Sequence, residues 1–261
     1  MIKIILTLLI ITNLILIYFL NKKKIKRIIY KKKIKSKDTS DLHQIFATKK
    51  ISDNLFGPAE EAIIRSFCIS VENDIKGMTS DYEAWILSSL SKVSKNIFEF
   101  GTCSGKTTFL MGLNSPKDAK IITLTLNSEQ TNDLIKKTND TQIPLRNIYK
   151  ESIYEKFLFS NTNVENKIQV MFKNSMNFEI EKYRNKFDLI FIDGGHTYSV
   201  VKNDSEKSFE MLKSKGIILW HDYVPGKKSA KDVVKYIHEL SSNKKIFHLR
   251  NTSLCYFKNN K

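Results

Sequence analysis

The sequence predicts an α/β domain, a doubly wound and mostly parallel sheet, carried behind one N-terminal membrane helix. Three observations point there. An uncharged apolar run opens the chain, short apolar runs alternate with amphipathic segments from residue 96 onward, and one such run leads into a glycine turn and a helix start. With 261 residues and 41% hydrophobic composition, the chain can bury one substantial core and still carry an appendage.

The appendage comes first. Ile4 to Leu20 reads IILTLLIITNLILIYFL, seventeen residues without a charge. At about 1.5 Å per residue such a helix nearly spans a hydrocarbon core of about 30 Å. A cleaved signal peptide carries its charges before the apolar run and small residues after it. Here only Lys3 precedes the run, while NKKKIKR and YKKKIKSK follow it. That order belongs to an uncleaved single-pass anchor whose C-terminal side stays cytoplasmic. Residues 1–21 are read as the anchor, meeting the lipid bilayer through 4–20. Residues 22–57 are read as a basic juxtamembrane segment and linker, and 58–261 as the domain.

The formal charge of +16 belongs largely to this appendage. Eleven of the 43 basic residues and none of the 27 acidic ones lie in residues 1–37, leaving 32 basic residues against 27 acidic in the remainder. A nucleic-acid partner is therefore not expected. The lysines can instead lie along anionic headgroups, at about 1 kcal/mol each. Cys68, Cys103 and Cys255 are widely separated and lack zinc-site spacing, so they read as free thiols in a reducing compartment.

In the domain, PAEEAIIRSFCISVEND and SDYEAWILSSLSKV show helical periodicity, the second with Ser80 as N-cap. Strands follow at NIFEF, AKIITLTL, KIQVMF, FDLIFID and GIILWHD. Helices are placed at KTTFLMGL, SEQTNDLIKKT, SVVKNDSEKSFEMLKS and SAKDVVKYIHELSS. Strands alternating with helices imply right-handed parallel crossovers. The last two strands, KIFHLR and SLCYFK, are close enough for an antiparallel hairpin around Asn251 and Thr252. TQIPLRNIYKESIYEKFLFSNTNVEN, between the second and third strands, reads either as a cover for a substrate or as a surface helix with its connections.

The segment Ile97 to Thr108 is strand, glycine turn and helix start. Two cofactor classes use such a turn, because glycine lets a ligand approach the backbone and a helix N-terminus favours polar or anionic groups. A nucleoside triphosphate needs G-x-x-x-x-G-K-[ST]. The chain offers GTCSGKT, one residue short, with Phe100 where the leading glycine belongs. S-adenosylmethionine needs a strand ending in an acidic residue followed by G-x-x-x-G, and Glu99, Gly101 and Gly105 have that spacing. Further on, FDLIFIDGGHTY and ILWHDY put Asp193, His196, His221 and Asp222 beyond the ends of two strands, where open α/β sheets bind ligands.

With both stretches the sequence resembles the class I S-adenosylmethionine-dependent methyltransferases, in particular the group with FEFGT-x-x-G-x-[ST]-T and later FIDG-x-H-x-Y and WHDY. The resemblance covers roughly Ile97 to Tyr223. It implies a Rossmann-like seven-stranded sheet in the order 3-2-1-4-5-7-6 with strand 7 antiparallel. Cofactor contacts carry over to Glu99, Gly101, Thr102, Gly105, Thr125, Asn174, Ser175 and Asp193. Related metal-dependent O-methyltransferases imply Asp193 and Asp222 as ligands of a divalent ion such as Mg²⁺, with His196 and His221 as catalytic groups, further ligands or the base. Tyr198 and Asp204 also match the pattern, in structural roles. The implied activity is O-methyl transfer to a small-molecule hydroxyl, with a saccharide as one acceptor class.

Two positions depart from the resemblance. Thr125 stands where a carboxylate would hold both ribose hydroxyls, and a hydroxyl cannot accept two charge-assisted bonds. Glu129 lies one helical turn further on. Asn174-Ser175 replaces an acidic residue beside the adenine. These departures keep open a second expectation, a non-catalytic membrane-tethered interaction domain of the same fold. A P-loop phosphotransferase is a third.

Overall fold

The computed structural model describes residues 2–31, 34–42, 48–67, 79–131 and 152–260. The chain opens with helix α1 (Ile2–Lys31), followed by strand β1 (Ser36–Lys37) and a hairpin of β2 (Thr48–Ser52) and β3 (Leu55–Pro58). Then come α2 (Asp81–Lys92), β4 (Asn96–Phe100), α3 (Lys106–Asn114), β5 (Lys120–Thr125), β6 (Ile168–Phe172) and β7 (Phe187–Ile192). Last are α4 (Tyr198–Met211), β8 (Leu212–Trp220), α5 (Lys231–Leu240), β9 (Phe247–Leu249) and β10 (Cys255–Lys258).

Eight strands form the main sheet in the order β1-β9-β10-β8-β7-β4-β5-β6. Counted from β4 as strand 1, this is the expected 3-2-1-4-5-7-6 with β1 added at one edge. β4, β5, β6, β7 and β8 pair in parallel, whereas β10 runs antiparallel to both β8 and β9.

Period-2 alternation builds the two cores. Phe98, Phe100, Ile190, Ile192, Ile218 and Trp220 enter one cluster with Val201 of α4 and Val233 and Ile237 of α5. Their strand neighbours Ile97, Leu189, Phe191, Ile217 and Leu219 enter the other, with Ile86, Leu87 and Leu90 of α2 and Met111 of α3. Both faces are thus covered by helices, and the ligand-binding surface of such a sheet is left at its strand ends.

Two local readings differ from the sequence expectation. The stretch read as linker packs on the domain: Ile34 joins the first core cluster, Leu42 the second, and β1 pairs with β9 between them. Residues 34–42 therefore wrap the open edge of the sheet, and burying these two side chains contributes roughly 2 kcal/mol each. Single apolar residues eight positions apart leave no periodicity to read. Second, the helix expected from Pro58 is a 3₁₀ turn at Glu60–Ala62 followed by irregular chain to residue 67. There the Asn114 amide takes both the N–H and the C=O of Arg65, at 2.6 and 3.0 Å, which replaces the helical bonds. The rest of that stretch, Cys68 included, and most of SEQTNDLIKKT lie outside the described residues.

α1 is exposed throughout its apolar length. Its polar side chains bond within the helix: Thr7, Thr12 and Asn13 donate to carbonyls one turn back at 2.9–3.0 Å.

Candidate active site

The glycine turn is shaped by sterics. Gly101 has φ +97°, and a Cβ there would lie 2.2 Å from the carbonyl oxygen of Asp193. Only glycine lets β4 and β7 end this close together. Gly105 has φ +81° and N-caps α3. Phe159 packs on it, and the Leu158 N–H donates to the Ser104 carbonyl at 3.0 Å. The end of the long segment before β6 therefore covers the helix side of the turn. Lys106 donates to the Thr79 carbonyl at 3.0 Å, and this places its ammonium on the chain before α2.

Glu99 is fully buried. Its carboxylate accepts from Thr107 and Thr123 at 2.6 Å each and from Thr108. Burial pushes its carboxyl up to about 7 against those three hydroxyls. Thr102 turns inward as well, to Thr123 at 2.6 Å. Glu99 and Thr102 thus brace the turn from below. At the next strand ends, Thr125 is half-buried and Glu129 exposed. Asn174 caps a short turn by accepting from the Met176 N–H at 2.9 Å. The Ser175 carbonyl accepts from Asn203 and Lys207.

The ends of β7 and β8 are denser. Asp193, His196 and Asp222 bring one potential ligand atom each within 4.8 Å of one another. His196 Nε2 lies 2.9 Å from Asp222 Oδ2, and His221 Nδ1 lies 3.0 Å from Asp193 and 3.3 Å from Asp222. Asp222 holds a left-handed φ of 60°, which aspartate tolerates better than most residues. A small cavity of about 10 Å³, room for one water-sized occupant, is lined by Asp193, Gly194, Gly195, His196, His221 and Asp222.

His221 is 6% exposed, and neither ring nitrogen makes a well-directed hydrogen bond although carboxylates surround it. Burial opposes its charge, but Asp193, Asp222 and Glu83 together raise its pKa far above the usual histidine range. Burial likewise opposes Asp222, whose carboxyl is nonetheless held well below the usual range by His196 and His221.

Glu83 is a member of this cluster that sequence reasoning missed. It sits in the first turn of α2, where its Oε2 accepts from the Ser80 N–H at 3.0 Å and Ser80 Oγ at 2.8 Å in a capping box. The same oxygen lies 3.6 Å from His221 Nε2, while Oε1 accepts from Ser253 N and Oγ. Ser80-x-x-Glu83 announces a helix start, and nothing in the sequence places it under His221. Asp204 is buried within reach of Gly194, burial pushing its carboxyl up to about 6. Tyr198 donates to Glu239 at 2.6 Å on the surface.

Residues 98–223 match the model of a family described as a methyltransferase domain. The match covers just under half of the chain, and these residues resemble that family. Among solved structures, a methyltransferase of Podospora anserina with SAH bound shares the fold at TM-score 0.50, with 16% identity over 70% of this chain and 80% of that one. An O-methyltransferase from Bacillus cereus in complex with SAH gives TM-score 0.47 at 13% identity, covering 69% and 80%. An O-methyltransferase of tomaymycin synthesis from Streptomyces achromogenes, in complex with SAM, gives 0.48 at 10% identity, covering 72% and 83%. No curated protein matches the chain in sequence comparison.

Proposed function

We propose that the domain transfers a methyl group from S-adenosylmethionine to a hydroxyl oxygen, with a divalent ion at Asp193 and Asp222 and His196 beside it as the base. The observation carrying this reading is the convergence of those three side chains beside the Gly101 turn, above a buried histidine whose nitrogens lack directed partners. Carboxylate and water oxygens suit a hard ion such as Mg²⁺. When bound, the ion would lower the pKa of the acceptor hydroxyl and fix its oxygen.

The cofactor supplies the methyl group, so a new C–O bond forms as the sulfonium C–S bond breaks and the hydroxyl proton leaves. The chain's contribution is position. The Gly101 turn lets the cofactor approach the backbone, while Thr125, Asn174 and Ser175 line the ends of β5 and β6, where the rest of the cofactor would lie. His196, more exposed than His221, faces the cavity and is the candidate to receive the proton. His221, enclosed among Asp193, Asp222 and Glu83, holds those carboxylates in place and is poorly exposed to act as the base.

The apolar helix is proposed as an uncleaved anchor, because the basic run lies on its C-terminal side, which also assigns the domain to the cytoplasmic face. A lipid bilayer and a small-molecule or saccharide hydroxyl are then the partners. The absence of a carboxylate at Thr125 favours a second reading, a tethered domain that no longer turns over. Calorimetric titration of the full chain in detergent with S-adenosylmethionine, with and without Mg²⁺, tests the choice. Micromolar binding supports the enzyme, and no binding by a folded protein supports the second reading.

A further inference from the structure

Of the two candidate ion ligands, Asp222 holds its backbone in the left-handed region, at φ 60°. Its neighbours on both sides show what keeps it there. The Tyr223 N–H donates to the Ser253 carbonyl at 2.8 Å. Ser253, in the turn between β9 and β10, donates its own N–H and Oγ to Glu83 Oε1 at 2.5 and 2.7 Å. The other oxygen of Glu83 lies 3.6 Å from His221 Nε2. A ring of contacts therefore runs from His221 through Glu83 and Ser253 to Tyr223, and Asp222 closes it.

Helix capping alone does not account for Glu83. A capping box needs the carboxylate only to reach back to the N-cap at the helix start, which an exposed side chain does equally well. Glu83 is instead 4% exposed. Burying a carboxylate is costly unless donors replace the lost water. Ser80 supplies two, at 3.0 and 2.8 Å, and Ser253 supplies two more across 170 positions of sequence. The second pair and His221 put the carboxylate where three elements meet: the start of α2, the end of β8 and the β9–β10 turn. On the far side of the imidazole, Nδ1 lies 3.0 Å from Asp193 and 3.3 Å from Asp222. The ring thus has Glu83 on one side and both candidate ligands on the other.

We propose that Glu83 is a positioning residue of the ion site, which together with Ser253 clamps the His221–Tyr223 segment and so presets Asp222 and the His221 ring. Strained backbone persists where its surroundings over-determine it, and the clamp supplies that constraint at Asp222. Glu83 acts on the ion only through His221 and the backbone of its neighbours. The effect on ion affinity rests on the divalent-ion reading above, whereas the clamp itself does not.

Glu83→Gln keeps the shape and one accepting oxygen for Ser253, and puts an amide NH₂ where Oε2 faced Ser80 and His221. Ser253→Ala, at a half-buried residue, removes one donor from the other end of the clamp. In the full chain in detergent, Mn²⁺ affinity measured by calorimetry should fall at least about tenfold in Glu83→Gln and by less in Ser253→Ala. Ser80→Ala weakens the same helix end but leaves both bonds from Ser253, so it should keep the wild-type affinity. The nitrogen-15 signals of the His221 ring, assigned by their loss in His221→Gln, should move in Glu83→Gln and Ser253→Ala with no ion added. They should stay in place in Ser80→Ala. Unmoved ring signals in both folded clamp variants overturn the clamp. Moved signals with unchanged Mn²⁺ affinity overturn its role at the ion site. A wild type that binds no Mn²⁺ overturns the ion reading, and the ring signals still decide the clamp.

Discussion

At the ends of β7 and β8, Asp193, His196, His221, Asp222 and Glu83 crowd into one set of contacts at 2.9–3.6 Å. At the ends of β5 and β6, a few strands along the same edge, the side chains in reach are Thr125, Asn174 and Ser175, uncharged and partly engaged with their own backbone. Glu99 is buried beneath the turn, and Glu129 stands exposed beyond the end of β5. The edge is thus heavily charged where an ion and an acceptor would sit and neutral where a cofactor's ribose and adenine would sit. Charged hydrogen bonds contribute about 1.5–3 kcal/mol each and neutral ones about half that. Ion binding at this edge should therefore be strong, and cofactor binding should lean on backbone and shape.

The largest expected effect breaks the charged half. Asp222→Asn keeps a residue that tolerates φ 60° but removes the charge shared by His196 and His221. Affinity for Mg²⁺ or Mn²⁺, measured by calorimetry, should fall at least about 100-fold with the circular dichroism unchanged. Retained affinity would show that the cluster is an ion pair network and not an ion site.

The next effect concerns the buried carboxylate of the neutral half. The folded-state pKa of Glu99, about 7, lies above its ordinary 4.5. The folded protein therefore holds a proton that the unfolded chain has released between these pH values. Its stabilising contribution is complete below about pH 4.5 and is lost as pH rises through 7, a change of roughly 3 kcal/mol. Denaturant unfolding of wild type and Glu99→Gln at pH 5 and pH 8 should show the variant gaining by about that amount at the higher pH. Parallel pH dependence in both proteins would mean that the three threonine hydroxyls already compensate the buried charge.

A smaller change sharpens the comparison by supplying what the neutral half lacks. Thr125→Asp restores a carboxylate at the end of β5, and S-adenosylmethionine affinity should rise about tenfold, close to 1.4 kcal/mol. An unchanged affinity would place the ribose elsewhere on the edge.

What the sequence made legible follows the same division. Strand order came with the family resemblance, whereas the antiparallel end and the strand-end positions of Asp193, His196, His221 and Asp222 were readable because apolar runs and the residues that follow them are local signals. The inward turn of Glu99 and Thr102 was not, since strand parity fixes a face but not what that face meets. The wrap of residues 34–42 depends on two isolated apolar residues meeting different cores. Glu83 was hidden for a further reason: its capping box is satisfied locally, and its approach to His221 spans a large sequence separation.

That double use of Glu83 leads to the smallest effect. Ser80→Ala removes the hydroxyl that donates to Glu83 Oε2 at 2.8 Å and caps α2, at a cost of about 1 kcal/mol in unfolding free energy. Glu83 keeps its two bonds from Ser253, so its carboxylate should stay under His221 and divalent-ion affinity should hold. A loss of ion affinity beyond that small destabilisation would mean that the cap fixes Glu83 against His221. The first turn of α2 would then belong to the charged half of the edge as much as to the helix it begins.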